Sequence, residues 1–328
     1  MPESRSRAPS EPDSRKDRQR SHYELRVATP YRLDLTVSVL RRLSTNVVDV
    51  FTPDGQYARA LGGANAPVIA RVRQLRSDAL DVTIEGDADE HAPALELVRR
   101  MLGVDRELTQ FDRAAAGMPW LSPLALRMRG VKPPRYATLW EAFVNTIAFQ
   151  QVSVHAASAI VRRLVVAVGQ PVESDGISLY TFPSAEQVLG ASADLLRATG
   201  LSAGKVATLR RAAEALASGT IDEAALHERA SPDAAALLRQ IKGIGPWTAT
   251  VILLRGLARL DVFPMNDTSV ARNLARVAGR VPLDVGEILE ALGPQRGMLY
   301  YHLLLARLEA LGEVTTSTSV PAATGSPA

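Results

Sequence analysis

Apolar and polar residues follow two rhythms along this chain, and the change comes near residue 105. From Tyr23 to about Gly103 the apolar positions form short runs bounded by polar or glycine-containing turns. YELRV, NVVDVFT, QYARAL, VIARVRQL and ALDVTIEG are predicted strands. LDLTVSVLRRL predicts a helix between the first two, and DEHAPALELVRRML a second helix after the last. Several neighbouring strands with two helices predict an antiparallel sheet covered on one face.

Beyond about Asp105 the spacing is helical almost throughout. TLWEAFVNTIAFQQVSVHAASAIVRRLVVAVG reads as a helix that opens with Thr138 and Glu141 in capping-box spacing. SAEQVLG, ASADLLRAT, AGKVATLRRAAEALASG, DEAALHERA and PDAAALLRQI are further predicted helices. In the last of these, Ser231 is the expected N-cap and Pro232 the first helical residue. TSVARNLARVAG, DVGEILEALG and RGMLYYHLLLARLEALG complete the series. The fold class is therefore a small α+β N-terminal domain, residues 22–112, followed by a larger all-α domain, residues 113–313. Segments 1–21 and 314–328 are rich in Ser, Pro, Thr and charge, have little to bury, and are expected to be disordered.

Composition narrows the chemistry. The 328 residues are 46% hydrophobic and 22% charged, ordinary for a globular protein of two domains. A net charge of +3, from 38 basic and 35 acidic residues, permits a local basic surface for nucleic acid without requiring one. The absence of cysteine excludes disulfides, zinc–thiolate sites, iron–sulfur clusters and cysteine nucleophiles. Five scattered histidines with no HxxxH spacing argue against a transition-metal site. The charged N-terminus has no apolar segment of a signal peptide, and runs such as TVILL and LVVAV are too short to span a bilayer. A cytoplasmic protein without membrane contact is expected.

The stretch LRQIKGIGPWTATVILL interrupts two helical patterns with Gly243, Ile244, Gly245 and Pro246. The two glycines allow torsions closed to other residues, and Pro246 is tolerated at the start of the second helix. This helix–hairpin–helix pattern has two readings. It is a tight turn in a helical bundle, or a place where main-chain N–H groups and a helix N-terminus meet a phosphate. Twenty-two residues beyond Gly245, DVFPMNDTSVARNL places Asp267 at the start of another helix, where a carboxylate is also an ordinary N-cap.

The hairpin followed by this aspartate resembles the helix–hairpin–helix DNA glycosylase superfamily, and is most similar to its DNA-3-methyladenine glycosylase II branch. The resemblance runs from about Tyr23 to Gly312 and includes three further motifs. EAFVNTIAFQQVSVHAASAI resembles that branch's glutamine helix, with Ala148 and Phe149 where the branch has Leu and Gly. GLSAGKVATLRRAA and PQRGMLYYHLLL are also similar. The resemblance implies a TATA-binding-protein-like N-terminal domain and a monofunctional glycosylase of base excision repair. Its substrates would be alkylated purines, such as 3-methyladenine and 7-methylguanine, flipped out of double-stranded DNA.

The resemblance further implies that Asp267 is catalytic, stabilising positive charge on the sugar as the base departs. Trp247 would line the base pocket, or serve as a core aromatic against the hairpin. Gln151, flanked by Gln150, would fill the gap left by the flipped base; the plainer alternative is a glutamine capping a loop. Gly243, Ile244, Gly245 and Thr248 would form the phosphate-binding hairpin. No cofactor is implied, and a metal is not required, although the carbonyls of Ile241 and Gly243 could hold a monovalent cation. Trp247 occupies the position where strand-cutting relatives keep a Schiff-base lysine. That opposes the alternative of an oxidised-purine glycosylase with lyase activity; a second alternative is a non-catalytic DNA-binding hairpin protein. Trp140 and Tyr301 are expected in the core, as is Tyr300. A monomer acting at the nucleoid with no obligate protein partner is expected.

Overall fold

A computed structural model describes residues 18–62, 66–265, 267–279 and 281–315. Its first part comprises β1 (Gln19–Arg26), α1 (Leu33–Arg41), β2 (Val50–Phe51), β3 (Tyr57–Leu61), β4 (Val68–Arg76), β5 (Ala79–Gly86) and α2 (Ala88–Met101). The strands form one antiparallel sheet in the order β1-β5-β4-β3-β2. Strand β5 shows why: Leu80, Val82 and Ile84 alternate inward while Asp81, Thr83 and Glu85 lie between them, which is the period of a half-buried strand. Helix α1 serves two cores. Leu33, Val37 and Leu40 pack with the sheet, whereas Leu35, Val39 and Leu43 just beyond its end pack with the C-terminal helices.

The helical part runs α3 (Thr109–Ala116), α4 (Ser122–Arg127), α5 (Leu139–Phe149), α6 (Val154–Val168), a short hairpin of β6 (Pro171–Ser174) and β7 (Ile177–Tyr180), then α7 (Ala185–Gly190) and α8 (Ala193–Ala198). It continues through α9 (Ala203–Ala217), α10 (Glu223–Glu228), α11 (Ser231–Leu238), α12 (Pro246–Gly256), α13 (Thr268–Ala278), α14 (Val285–Leu292) and α15 (Gly297–Ala310). Helix α5 is buried along its whole length before Phe149, as an all-round apolar helix should be, and packs against α6, α9 and α12. Gly256 permits the close approach of α12, because a Cβ there would lie 2.8 Å from the Ala142 Cβ.

The structure departs from the sequence expectations at several places. The second part is not all-α: the β6–β7 hairpin turns at Asp175 and Gly176, both at positive φ, and β7 packs on β3. The long helix expected from Thr138 onward breaks at Gln150–Ser153, where Gln151 takes a φ of 56° and Ser153 caps α6. The capping box at Thr138 is half made. Thr138 accepts from the Glu141 amide, but the Glu141 side chain pairs with Arg59 of β3 instead. Ser231 lies inside α11 after Ala230, and its hydroxyl accepts from Arg259. At the ends, β1 begins at Gln19, inside the segment expected to be disordered, because Arg18 and Arg20 pair with Glu85. Val314 is buried in the C-terminal core. The remainder of both expected tails, 1–17 and 316–328, lies outside the described residues. Among the described residues no helix is long and apolar enough to cross a membrane.

Candidate active site and hairpin

The hairpin joins α11 to α12 and is anchored by Ile241 and Ile244, both buried in the core that α5 and α9 share. Gly243 has φ 104°, a torsion reserved for glycine, and a Cβ there would collide with the Thr208 hydroxyl at 2.1 Å. Gly245 differs from the expectation. It caps α12 with φ −89° and ψ 179°, torsions open to any residue, and a Cβ on it would meet nothing within 4 Å. The absence of a side chain at Gly245 therefore clears space over the helix end rather than shaping the chain. No side chain caps that end and no acidic residue stands in its first turn. A helix N-terminus left so is prepared for an anion.

Gln150 ties the end of α5 to this turn. Its Nε2 donates to the Gly243 carbonyl at 3.1 Å and to the Thr248 hydroxyl at 2.9 Å. Thr248 is itself buried, so its hydroxyl is an internal acceptor for Gln150. The Ile241 carbonyl accepts from the Ile244 amide, and each of the two carbonyls keeps a second lone pair. Gln151, by contrast, is exposed at its positive φ and turns away from the helix path. The two adjacent glutamines thus take different roles: one braces the hairpin, one projects.

Lys205 of α9, whose motif was visible but whose task was not, completes the brace. Its Nζ donates to the carbonyls of Ala148 at 2.9 Å and Gln150 at 2.8 Å, and partial burial lowers its pKa. Thr208, one turn on, backs Gly243, and Arg211 donates to the Lys242 carbonyl at 3.0 Å. The i, i+3, i+6 series Lys205, Thr208, Arg211 is the signal that was present in the sequence.

Asp267 precedes α13 and uses both oxygens. Oδ1 accepts from the amides of Ser269 at 2.7 Å and Val270 at 3.1 Å, which makes it the N-cap. Oδ2 accepts from the indole N–H of Trp247 at 2.8 Å. Both residues are half-buried. The carboxylate is thus fixed in orientation by three donors, one of them from the first turn of the hairpin's second helix. Trp140 is buried and donates to the Pro183 carbonyl, and Tyr301 is buried with its hydroxyl on the Leu254 carbonyl. Tyr300 is only half-buried. Among the described residues no group of His, Asp or Glu is arranged to hold a metal ion.

Residues 144–292, which carry the glutamine helix, the hairpin and Asp267, match the family described as HhH-GPD superfamily base excision DNA repair protein. The chain is 35% identical over 144 residues to DNA-3-methyladenine glycosylase 1 of Schizosaccharomyces pombe, covering 44% of this chain and 59% of that protein. It is 27% identical over 202 residues to DNA-3-methyladenine glycosylase of Bacillus subtilis, covering 61% of this chain and 66% of that one. The chain thus spans less than two thirds of the length of each of these relatives. The fold as a whole is shared with a solved 3-methyladenine DNA-glycosylase from Archaeoglobus fulgidus, at a TM-score of 0.73 and 24% identity over 87% of this chain and 98% of that one. Through its helical part, a little under half of its length, the chain is thus similar to the HhH-GPD superfamily of base excision DNA repair proteins.

Proposed function

We propose that this protein is a monofunctional DNA glycosylase that hydrolyses the N-glycosidic bond of alkylated purines, 3-methyladenine and 7-methylguanine among them, in double-stranded DNA. The observation that carries this reading is the Trp247–Asp267 pair at the mouth of the uncapped hairpin helix. Positive charge develops on the deoxyribose as the base leaves, and the oriented Asp267 carboxylate stabilises it while water adds to the sugar carbon. An alkylated purine is already cationic, so it leaves with little help from a general acid. Trp247 offers its ring to the electron-poor base. A phosphate reaches the amides over Gly245, where no side chain stands in its way, and this contact positions DNA without reading sequence. Exposed Gln151 enters the gap left by the flipped nucleotide, while Gln150 holds the hairpin in register. A monovalent cation at the carbonyls of Ile241 and Gly243 would add to the phosphate grip.

The lysines support a hydrolytic rather than a strand-cutting enzyme. The chain has four: Lys16, Lys132, Lys205 and Lys242. Lys132 and Lys205 donate to backbone carbonyls, and Lys242 precedes Trp247 by five residues in the turn. Schiff-base chemistry needs a free amine beside the sugar, and tryptophan stands in that position. The five-stranded sheet with α1 and α2, residues 22–112, is assigned as a TATA-binding-protein-like domain and residues 113–313 as the glycosylase domain, acting as a monomer at the nucleoid. Release of methylated purines from alkylated duplex DNA tests the whole reading. Excision that survives intact in an Asp267→Asn protein overturns the catalytic assignment, and a borohydride-trapped DNA adduct overturns the hydrolytic one.

A further inference from the structure

The turn between α5 and α6 holds a glutamine in a conformation that glutamine does not favour. Gln150 has φ −58° and ψ 124°, and Gln151 follows at φ 56°. These torsions are close to those of a type II turn, in which the residue at positive φ is ordinarily glycine or asparagine. Another residue persists there only where the surrounding structure fixes it. The tip of the turn does not supply that restraint, because Gln151, Val152 and Ser153 are all exposed.

The restraint comes from behind. The Gln150 carbonyl shares a peptide plane with the Gln151 nitrogen, and it accepts from Lys205 Nζ at 2.8 Å. The Ala148 carbonyl accepts from the same ammonium at 2.9 Å. The peptide joining the two glutamines therefore cannot rotate without giving up a bond to a charged donor. The Gln150 side chain, bonded to the Gly243 carbonyl and the Thr248 hydroxyl, fixes the same residue on the hairpin.

Lys205 is poorly placed for its own helix. It is the third residue of α9 after the N-cap Ser202, where Glu or Gln would close a capping box and where the helix end is itself positive. Among the described residues no carboxylate pairs with it, and burial alone lowers its pKa. Its favourable contacts lie across the interface, at the C-terminal end of α5, where orphan carbonyls and the helix dipole attract a cation. Capping α5, which ends at Phe149, needs only the bond to Ala148. The bond to Gln150 lies beyond the helix and sets the turn. A residue that breaks a local rule has its reason elsewhere, and here that reason is the turn that presents Gln151.

We propose that Lys205 is a positioning residue for the gap-filling step: its ammonium locks the peptide between Gln150 and Gln151, so that Gln151 stands ready to enter the duplex as the damaged nucleotide leaves. The assignment rests on the glycosylase reading given above. The turn is then ordered in the free protein rather than during extrusion, which spares the complex that entropy loss.

The test is a double-mutant cycle read by single-turnover excision of 7-methylguanine from duplex DNA, with each protein checked for folding by thermal denaturation. Lys205→Met keeps the length of the side chain and removes its charge. Alone it should slow excision at least about fivefold, within the coupling usual for groups that share a contact. In a Gln151→Ala background, where the gap filler is already gone, it should slow excision further by less than about twofold. Lys205→Arg, which can still donate to both carbonyls, should recover most of the wild-type rate. Should Lys205→Met fail to fold, the milder Lys205→Gln runs through the same cycle with the same expected contrast. Equal slowing in the two backgrounds overturns the positioning role, as does a folded Lys205→Met protein with the wild-type rate. A Gln151→Ala protein with the wild-type rate removes the step that Lys205 is assigned to serve, and so overturns it while leaving the glycosylase reading standing. Absence of excision by the wild-type protein overturns both.

Discussion

The indole N–H of Trp247 donates to Oδ2 of Asp267 across 2.8 Å, joining the first turn of α12 to the N-cap of α13. The same carboxylate caps a helix and, in the proposed reaction, stabilises the developing cation, so a substitution must separate the two tasks. Asparagine caps helices about as well as aspartate does. The Asp267→Asn protein keeps the Oδ1 cap but loses the indole hydrogen bond at Oδ2, so it should lose only about 1–2 kcal/mol of stability while excising methylated purines at least about 100-fold more slowly, in keeping with the loss of a charge that stabilises a developing cation. A large drop in melting temperature alongside the lost activity would instead assign Asp267 to structure alone.

Gly243 and Gly245 should respond differently to alanine. At Gly243 the torsion is closed to alanine and the new Cβ collides with Thr208, so Gly243→Ala should lose roughly 2 kcal/mol or more of stability. At Gly245 alanine suits the backbone and meets nothing in the protein. Gly245→Ala should keep its melting temperature and weaken DNA binding by filling the space over the helix N-terminus. Binding titrations at several salt concentrations, paired with melting curves, read both outcomes, because a lost phosphate contact also flattens the salt dependence. Unaltered DNA affinity in Gly245→Ala would remove the hairpin from the interface.

The difference between these glycines marks how far the sequence could be read. The alternation in β5 and the spacing of α12 and α13 come from side-chain burial, a local pattern, and these elements were legible. So was the juxtaposition of hairpin and Asp267, through the order of motifs. Contacts between distant segments were not. Glu141 looked like the partner of Thr138 three residues away, but its charge is taken by Arg59, 82 residues earlier. Gln151 is the expected gap filler and Gln150 only its neighbour, and it is the break at positive φ that gives Gln150 its separate task on the hairpin. The β6–β7 hairpin is four residues a side, too short for periodicity to reveal, and is held through its packing on β3.

Arg59 illustrates what such a distant contact is worth. Its guanidinium is buried between Asp49, at 2.6 Å, and Glu141, and Tyr57 donates to the same Asp49. The group ties β3 to α5, the helix that ends in Phe149 and leads into Gln150. Removing the cation alone leaves two buried carboxylates facing each other. Arg59→Met should cost about 3–5 kcal/mol, whereas replacing the whole cluster with apolar residues of similar volume should cost far less. Urea denaturation of the single and combined variants measures the contrast, and similar losses in both would show that packing rather than charge is at stake.

His302 makes stability depend on pH. It is buried in α15, its ring tilted against that of Phe111 with centroids 4.6 Å apart and Nδ1 on the Met298 carbonyl, and burial lowers its pKa from 6.5 to about 4. The unfolded chain binds its proton first as pH falls, so the neutral folded form loses stability below pH 6.5 and goes on losing it until the folded pKa is passed. Over that window the loss from this one residue approaches roughly 3 kcal/mol, since a tenfold difference in proton affinity between the folded and unfolded chain corresponds to about 1.4 kcal/mol. Chemical denaturation between pH 7 and pH 4 should therefore show a steeper decline for the wild type than for a His302→Phe protein, which has no proton to take up. Parallel declines in the two proteins would place the acid sensitivity in groups other than His302.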